Sequence, residues 1–139
     1  MGEVTVEIEL ENAMDRERAI LGEISEDHVR SVKARVLADS GAVMLVLPQD
    51  MVEALGLREV RKAIVTYADE RKEERPVAAI VTTRVGNRST TGECIVGPPN
   101  SEPLLGQMVL EGMDLLVDCA QGKLVPRPES PFLPELKVK

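Results

Sequence analysis

Residues 32–47 read Val32-Lys33-Ala34-Arg35-Val36-Leu37-Ala38, then Asp39-Ser40-Gly41-Ala42, then Val43-Met44-Leu45-Val46-Leu47. The first and last of these runs are rich in apolar residues and are typical of strands. The middle run carries turn residues, because glycine allows a sharp change of direction and serine hydrogen-bonds locally. The stretch therefore predicts two strands joined by a tight turn, with the Asp39 carboxylate near the core rather than at a loop tip.

The tripeptide Asp39-Ser40-Gly41 has two interpretations. An ordinary structural turn uses the same residue types, so the tripeptide alone is weak evidence for a site. In a functional site, the strands would fix the backbone, and the Ser40 hydroxyl would hold a hydrogen bond beside the carboxylate. The apolar runs on both sides favour the functional interpretation, but the plain turn remains an alternative.

Further motifs follow in order along the chain: Leu45-Val46-Leu47-Pro48, Leu55-Gly56-Leu57, Leu104-Leu105-Gly106, Leu115-Leu116-Val117-Asp118 and Gly122-Lys123-Leu124-Val125. Together with Ala38-Asp39-Ser40-Gly41-Ala42, they resemble the retroviral-type aspartic proteases (retropepsins), and most of all their small prokaryotic relatives. The resemblance spans about residues 3–126. The family usually carries Thr where Ser40 stands, and Ser offers the same hydroxyl.

The resemblance implies a homodimer with one catalytic Asp per chain. Asp39 would be that residue, and Ser40 would hydrogen-bond across the dimer to the partner loop. Gly41 would donate its backbone N–H to the carboxylate. The Leu104-Leu105-Gly106 segment would pack beneath this loop, and interleaved termini would place Val4 to Leu10 and the region around Leu124 in the interface.

The resemblance also implies a set of substrate-binding residues. Ala42 would leave room for the substrate beside the catalytic loop. A hairpin that closes over the substrate would lie around four consecutive residues, Tyr67, Ala68, Asp69 and Glu70. Family hairpins commonly carry glycine near the tip, whereas Glu70 stands at that point here. A solvated hairpin tip is the alternative interpretation of this segment.

The implied chemistry is peptide hydrolysis without a covalent intermediate. One carboxylate takes a proton from the attacking water, and the other, protonated, supports the carbonyl oxygen. Two carboxyls a few ångströms apart cannot both ionise cheaply, so they share one proton. The second carboxyl must come from Asp39 of a symmetry mate. Asp114 and Asp118 are the competing candidates for the catalytic carboxylate, and Asp118 is interpreted as a turn or surface residue.

Three functions are therefore considered. The leading hypothesis is a homodimeric aspartic endopeptidase that acts on a peptide or protein substrate. The second is a retropepsin-like domain of weak or no activity that serves as a dimeric binding or assembly module, which the charged, glycine-poor segment around Glu70 favours. The third, a generic ligand-binding β-barrel, has no positive feature beyond the strand pattern.

Composition limits the remaining function classes. The chain has 139 residues and a formal net charge of −7, which argues against nucleic acid or an anionic membrane surface as a partner. It has one histidine, His28, in a polar stretch, so Ser–His or Cys–His catalysis and a zinc site are poor interpretations. We expect no cofactor and no metal. Cys94 and Cys119 are interpreted as reduced, buried thiols, with a disulfide as the alternative, and we expect a cytoplasmic protein without a signal peptide or membrane span.

The strand pattern predicts an all-β protein, a small closed β-barrel of retropepsin type with one or two short helices. Strands are predicted at 4–10, 29–38, 43–47, 60–67, 76–85 and 89–96, and a hairpin over 114–125. Helices are predicted between Pro48 and Gly56 and over 103–110, whereas residues 12–18 are interpreted as a loop and 19–24 as a possible strand. The protease-like domain would comprise residues 1–126, followed by an extended proline-rich tail, 127–139.

Overall fold

The computed structural model describes residues 3–138, which form mainly β-strands, as the sequence predicts. The strands are β1 (Val4–Asn12), β2 (Ser31–Ala38), β3 (Leu45–Pro48), β4 (Arg58–Thr66), β5 (Lys72–Val85), β6 (Arg88–Gly97), β7 (Leu104–Leu105), β8 (Leu115–Asp118) and β9 (Lys123–Pro126). The α-helices are α1 (Ala13–Ile20), α2 (Gln49–Ala54) and α3 (Gln107–Met113). The all-β class is thereby confirmed.

The main sheet closes on itself. Its strand order is β1-β2-β7-β3-β6-β5-β4, and β1 also pairs with β5 through residues 9–12. Six strands thus form a ring, and β4 extends from β5 as an antiparallel hairpin partner. The remaining strands, β8 and β9, form a separate two-stranded sheet. This hairpin was predicted around Gln121-Gly122, and Gly122 adopts the positive φ of 67° that such a turn requires.

The core inside the ring consists of aliphatic side chains. Strand β1 buries Val4, Ile8 and Leu10, and the glutamates between them face outward or lie at the edge, as the two-residue alternation predicts. The other fully buried large apolar residues are Val36, Leu45, Leu47, Leu55, Val77, Val81, Leu105, Leu110 and Met113. The core therefore brings together the strands on both sides of the Asp39 turn.

Helix α1 contradicts the loop predicted for residues 12–18, and the strand considered for 19–24 does not form. The helix begins because the Asn12 side chain accepts a hydrogen bond from the backbone N–H of Asp15, at 3.0 Å. Asn12 also donates its side-chain amide to the carbonyl of Leu55, 2.8 Å away. Asp15 in turn pairs with Arg30 at 2.8 Å. Contacts with distant residues therefore stabilise a helix that shows no apolar stripe in the sequence.

Two other boundaries differ from the prediction. Strand β5 begins at Lys72, so the charged residues 72–75 belong to the strand and not to the connection. The predicted helix over 103–110 is divided into the short strand β7 and helix α3, which begins at Gln107. In contrast, α2 lies between Pro48 and Gly56 as predicted, and Gly56 has a φ of 65° just past its end.

Residues 127–138 contain no helix or strand. Ser130 is nevertheless buried and contacts the region that joins α3 to β8, so the first part of this segment packs against the domain. The boundary proposed at residue 126 stays a prediction. Within residues 3–138, no helix combines the length and the apolar character that crossing a membrane requires.

The corner between β7 and α3 packs closely against the chain that follows the Asp39 turn. A Cβ atom added to Gly106 would lie 2.8 Å from the backbone N and C of Met44, and closer still to its oxygen. Real Cβ atoms do not approach backbone atoms so closely, because the interior is already packed at high density. Only glycine therefore fits at this position without moving one of the two segments.

We predict that Gly106→Ala destabilises the protein by on the order of 3 kcal/mol, the upper end of the cost of overpacking, because rigid backbone must move. Urea denaturation measures the change. Gly92→Ala is the matched control, since Gly92 is exposed in β6 and an added Cβ meets nothing within 4 Å. The control should stay within about 0.5 kcal/mol of wild type. Equal stability of the two variants would contradict the close contact at Gly106.

Candidate active site

Asp39 lies directly after β2, in a turn fixed by backbone hydrogen bonds. Its N–H donates to the carbonyl of Leu105 at 3.0 Å, and its own carbonyl accepts from the N–H of Ala42 at 3.1 Å. Asp39 is half-buried, whereas Ser40 and Gly41 are exposed. The backbone of this turn is therefore held on the domain while its outer surface is open to another molecule.

The Asp39 carboxylate accepts a hydrogen bond from the backbone N–H of Gly41, 2.9 Å from Oδ1. This is the contact that the resemblance implied. A Cβ at Gly41 would lie 3.1 Å from the same oxygen, so a larger residue would crowd the carboxylate. The hydrogen bond fixes the direction of one oxygen of the Asp39 carboxylate.

The segment Leu104-Leu105-Gly106 supports the turn from below, as expected. Strand β7 pairs in parallel with the end of β2, placing Leu105 opposite Ala38. Helix α3 then donates two backbone N–H groups to the chain after Asp39, from Gln107 to Ala42 at 2.7 Å and from Met108 to Val43 at 2.9 Å. The turn is thus enclosed between β2 and the first residues of α3.

A cleft of about 650 Å³ opens beside this turn. The turn contributes Gly41 and Ala42, and the β4–β5 hairpin forms the facing wall. The lining is mainly apolar and includes Val43, Met44, Val46, Ala63, Ile64, Val65, Ile95, Pro98 and Leu104, with Thr66, Tyr67, Arg75, Ser101 and Glu102 as polar members. The arrangement can take an extended, largely apolar chain next to the Asp39 loop.

The structure separates the predicted substrate-binding residues into two groups. Ala42 and Tyr67 line the cleft. The next three residues, Ala68, Asp69 and Glu70, are exposed at the hairpin tip and are not among the lining residues. Glu70 has a φ of 68°, a conformation that favours glycine, so the tip keeps the geometry of a glycine turn without the glycine. Binding of substrate by the tip stays a prediction.

Sequence reasoning missed the inner face of the hairpin. Ala63 lies opposite Arg75, and Val65 lies opposite Glu73, so these four side chains share a face with Tyr67. Ala63, Val65 and Arg75 all line the cleft. The two-residue alternation from Tyr67 back to Ala63 was available in the sequence. The register between β4 and β5 could not be read from the sequence, because the charge of residues 72–75 predicts a connection rather than a strand.

Asp114 is an ionised carboxylate with a structural role. It is 6% exposed and accepts hydrogen bonds from Arg127 Nε, from Ser130 Oγ and from the N–H of Glu135 at 2.9 Å. The hydrogen bond from Arg127, followed by the one from Ser130, holds the pKa of Asp114 far below its usual range. These contacts attach residues 127–135 to the C-terminal end of α3.

Asp118 behaves as the predicted turn residue. Its Oδ1 accepts from the N–H of Gln121 at 3.0 Å, and its carbonyl accepts from Gly122 at 2.8 Å. Neither Asp114 nor Asp118 lines the cleft beside Asp39. Asp39 itself is not among the described lining residues, but Gly41 and Ala42 of its turn are, so of these three carboxylates Asp39 is the one whose turn borders the cleft.

His28 lies close to Ser25 and Asp27 without forming a nucleophilic site. The Ser25 hydroxyl is 2.6 Å from His28 Nδ1 and 2.5 Å from Asp27 Oδ1. The carboxylate therefore hydrogen-bonds to the serine, whereas in a catalytic triad it orients the histidine. All three residues are exposed at a short 3-10 helix, Glu26–His28, and none lines the cleft. Ser25, Asp27 and His28 therefore form a local contact at the start of the 3-10 helix.

The ring of strands and the aspartate turn define a protein of the retropepsin-like aspartic protease class. The chain belongs to the gag-polyprotein putative aspartyl protease family, whose model matches residues 27–112. That range contains the Asp39 turn, the hairpin and most of α3. Its fold is similar to that of EIAV protease complexed with the inhibitor HBY-793, with a TM-score of 0.54 and 17% identity over 79% of this chain and 86% of that chain. No curated protein matches the sequence.

We predict that Asp114 makes stability depend on acid pH. Because its pKa is lowered in the folded protein, its contribution is complete above the unfolded value, near 3.8, and is lost as pH falls below it. Thermal unfolding followed from pH 7 to pH 2 should show this loss in wild type. Asp114→Asn should be less stable than wild type at pH 7 and should lose less on acidification. Parallel curves for the two proteins would contradict the ion pair with Arg127.

Proposed function

We propose that this protein is a homodimeric aspartic endopeptidase. The observation that carries the proposal is the Asp39 turn, whose carboxylate is oriented by the Gly41 N–H beside a cleft faced by the β4–β5 hairpin. Membership of a putative aspartyl protease family supports the same chemistry. The substrate is a stretch of a peptide or protein, because the cleft beside the Asp39 turn is lined mainly by apolar residues.

In the proposed mechanism, a water lies between two Asp39 carboxyls, one from each chain. The ionised carboxyl accepts a proton from this water as the water oxygen attacks the carbon of the peptide carbonyl. The protonated carboxyl donates its proton to the carbonyl oxygen, which gives a tetrahedral diol. The carboxyl that took the proton of the water then gives it to the amide nitrogen, the C–N bond breaks to release the amine, and the other carboxyl takes a proton back from a diol hydroxyl as the carboxylic acid product forms. Because two adjacent carboxyls share one proton, both forms are present in the same dyad. Gly41 keeps one oxygen of each carboxylate in position, and Ser40 hydrogen-bonds to the partner loop.

A dimer is required because the mechanism uses two aspartate carboxyls and each chain carries one Asp39 turn. The outward surface of the loop supports this proposal, since Ser40 and Gly41 are exposed. Two sheet edges are candidates for the dimer interface. Strand β1 pairs with β2 over residues 4–11 but meets β5 only from Glu9 onward, so residues 4–8 have an open edge. The β8–β9 sheet, which includes Leu124, also has open edges.

The second candidate function is a dimeric binding or assembly module with weak or no peptidase activity. Glu70 supports it, because a charged residue in a glycine-type conformation occupies the hairpin tip that would close over substrate. The two candidates share the fold and the dimer and differ in turnover. For either, we propose a cytoplasmic location, because both cysteines are unpaired. Cys94 is buried as expected, but the expectation is wrong for Cys119, which is exposed because it lies in the turn between β8 and β9.

We predict that Asp39→Asn abolishes peptidase activity while preserving the fold and the dimer. The amide cannot accept the proton from water, and loss of acid–base catalysis costs about 10²–10⁴-fold in rate. Cleavage of a complex peptide library, followed by mass spectrometry, measures the activity. Asp118→Asn is the matched control and should cleave like wild type. Retained cleavage by purified Asp39→Asn would rule out Asp39 as the catalytic residue.

We also predict that activity depends on dimer formation. On dilution through the dissociation constant, activity should fall more steeply than in proportion to protein concentration, because the dimer fraction falls too. Sedimentation equilibrium at micromolar concentration should give twice the mass of 15.2 kDa. A mixture of wild type and Asp39→Asn should form heterodimers of reduced activity. A strict monomer with strictly proportional activity would contradict the two-carboxyl mechanism.

A further inference from the structure

The cleft contains a cation whose function the catalytic mechanism does not explain. Among the described residues that line the cleft, Arg75 is the one Lys or Arg side chain. It projects from the inner face of β5, opposite Ala63, and its side chain is 19% exposed. An arginine this far from bulk water, in a mainly apolar wall, requires an acceptor for its charge.

The contacts of Arg75 fix its position but leave donors unused. Its Nε donates to the carbonyl of Val96 at 2.8 Å, which ties the hairpin to the end of β6. Its Nη1 lies 3.7 Å from Glu73 Oε1, beyond hydrogen-bond distance. A guanidinium has five N–H groups, and within residues 3–138 one of them has a hydrogen-bond acceptor.

Glu73 does not neutralise Arg75 fully, because Tyr67 holds it. The Tyr67 hydroxyl donates to Glu73 Oε1 at 2.7 Å, and the Tyr67 ring packs 4.4 Å from the guanidinium carbon of Arg71. Glu73 is 41% exposed and does not line the cleft. Glu73 therefore offsets part of the charge of Arg75 from the same face of the hairpin, but it leaves the Nη donors of Arg75 without a hydrogen-bond acceptor within the described residues.

Glu102 is the one carboxylate among the described residues that line the cleft, and its exposure to water weakens its effect on the positive potential that Arg75 creates there. It is exposed and belongs to the segment before β7. An exposed charge is solvated and contributes little to recognition, whereas a guanidinium held in place and partly shielded binds a carboxylate strongly. The cleft thus combines aliphatic contacts with one fixed, donor-rich cation.

We propose that Arg75 is a specificity residue that binds a carboxylate of the peptide, within reach of the aliphatic side chains that line the same cleft. This inference rests on the proposed peptidase function for its setting. The carboxylate can belong to an Asp or Glu side chain or to the peptide's C-terminus. Both would be recognised by the same pair of N–H donors.

The test compares peptides that differ only in this group. The set pairs Glu with Gln and Asp with Asn at each position of an aliphatic peptide, with free or amidated C-termini. Wild type should prefer a carboxylate by on the order of tenfold in kcat/KM, the effect of one charge-assisted hydrogen bond. Arg75→Gln should lose the preference, and Arg75→Glu should reverse it in favour of the neutral Gln and Asn peptides.

Arg61→Gln is the matched control. Arg61 lies on β4 of the same hairpin, pairs with Glu93 at 2.7 Å and does not line the cleft, so its loss removes the same charge without touching the proposed site. It should keep the wild-type preference. Arg75→Lys keeps the charge and should keep part of the selectivity. Thermal unfolding of each variant shows whether a loss of selectivity comes from a loss of folding.

Binding to Asp39→Asn, measured by calorimetry with the same peptides, separates this inference from the peptidase proposal. Suppose that no variant cleaves, that Asp39→Asn binds carboxylate peptides, and that adding Arg75→Gln to it abolishes this binding. The carboxylate-binding role of Arg75 is then supported, although the peptidase proposal fails. If wild type cleaves Glu and Gln peptides equally well, and peptides with free and amidated C-termini equally well, the inference about Arg75 is wrong and the peptidase proposal remains. A preference that survives amidation assigns the carboxylate to a side chain, and one that vanishes assigns it to the C-terminus.

Discussion

Three backbone hydrogen bonds hold the Asp39 turn against the segment that begins α3, and the rest of the site depends on them. The N–H of Asp39 donates to Leu105, and the N–H groups of Gln107 and Met108 donate to Ala42 and Val43. This exchange requires the two segments to approach within van der Waals contact, which Gly106 permits by having no side chain. The position of the Asp39 turn is therefore set by main-chain geometry, which side-chain fluctuations disturb little.

The two most informative carboxylates show opposite uses of the same group. Asp114 is buried and accepts from Arg127, Ser130 and Glu135, so its oxygens are occupied and its pKa is lowered, which keeps it ionised until the pH is strongly acid. Asp39 accepts one hydrogen bond from its own turn within the described chain, from Gly41. A carboxylate that is fully paired stabilises a fold, whereas one with unused lone pairs at a cleft can exchange a proton. Pairing, rather than residue type, separates the structural acid from the candidate catalyst.

Sequence reasoning found the features that are encoded locally. The strands around Asp39, helix α2 between Pro48 and Gly56, and the turn at Gly122 each carry their signal within a few residues. Helix α1 was missed because its stability comes from Asn12 and from Asp15, whose partners Leu55 and Arg30 lie far along the chain. Arg75 was missed for a similar reason. Its place in the cleft follows from the register of β4 against β5, which no local pattern determines.

The hairpin shows how a tip without glycine can still form. The left-handed backbone of Glu70 costs about 1 kcal/mol for a residue with a Cβ. The stacking of Arg71 on Tyr67 returns about 0.5–1 kcal/mol, and the hydrogen bond from Tyr67 to Glu73 contributes about 1 kcal/mol more. Side chains thus offset the strain that glycine would avoid. Because Tyr67 and Arg75 both face the cleft, the contacts that shape the hairpin also set the polarity of its inner face. The charged hairpin is therefore compatible with a substrate-binding wall, and its charge places a carboxylate-binding group opposite the Asp39 turn.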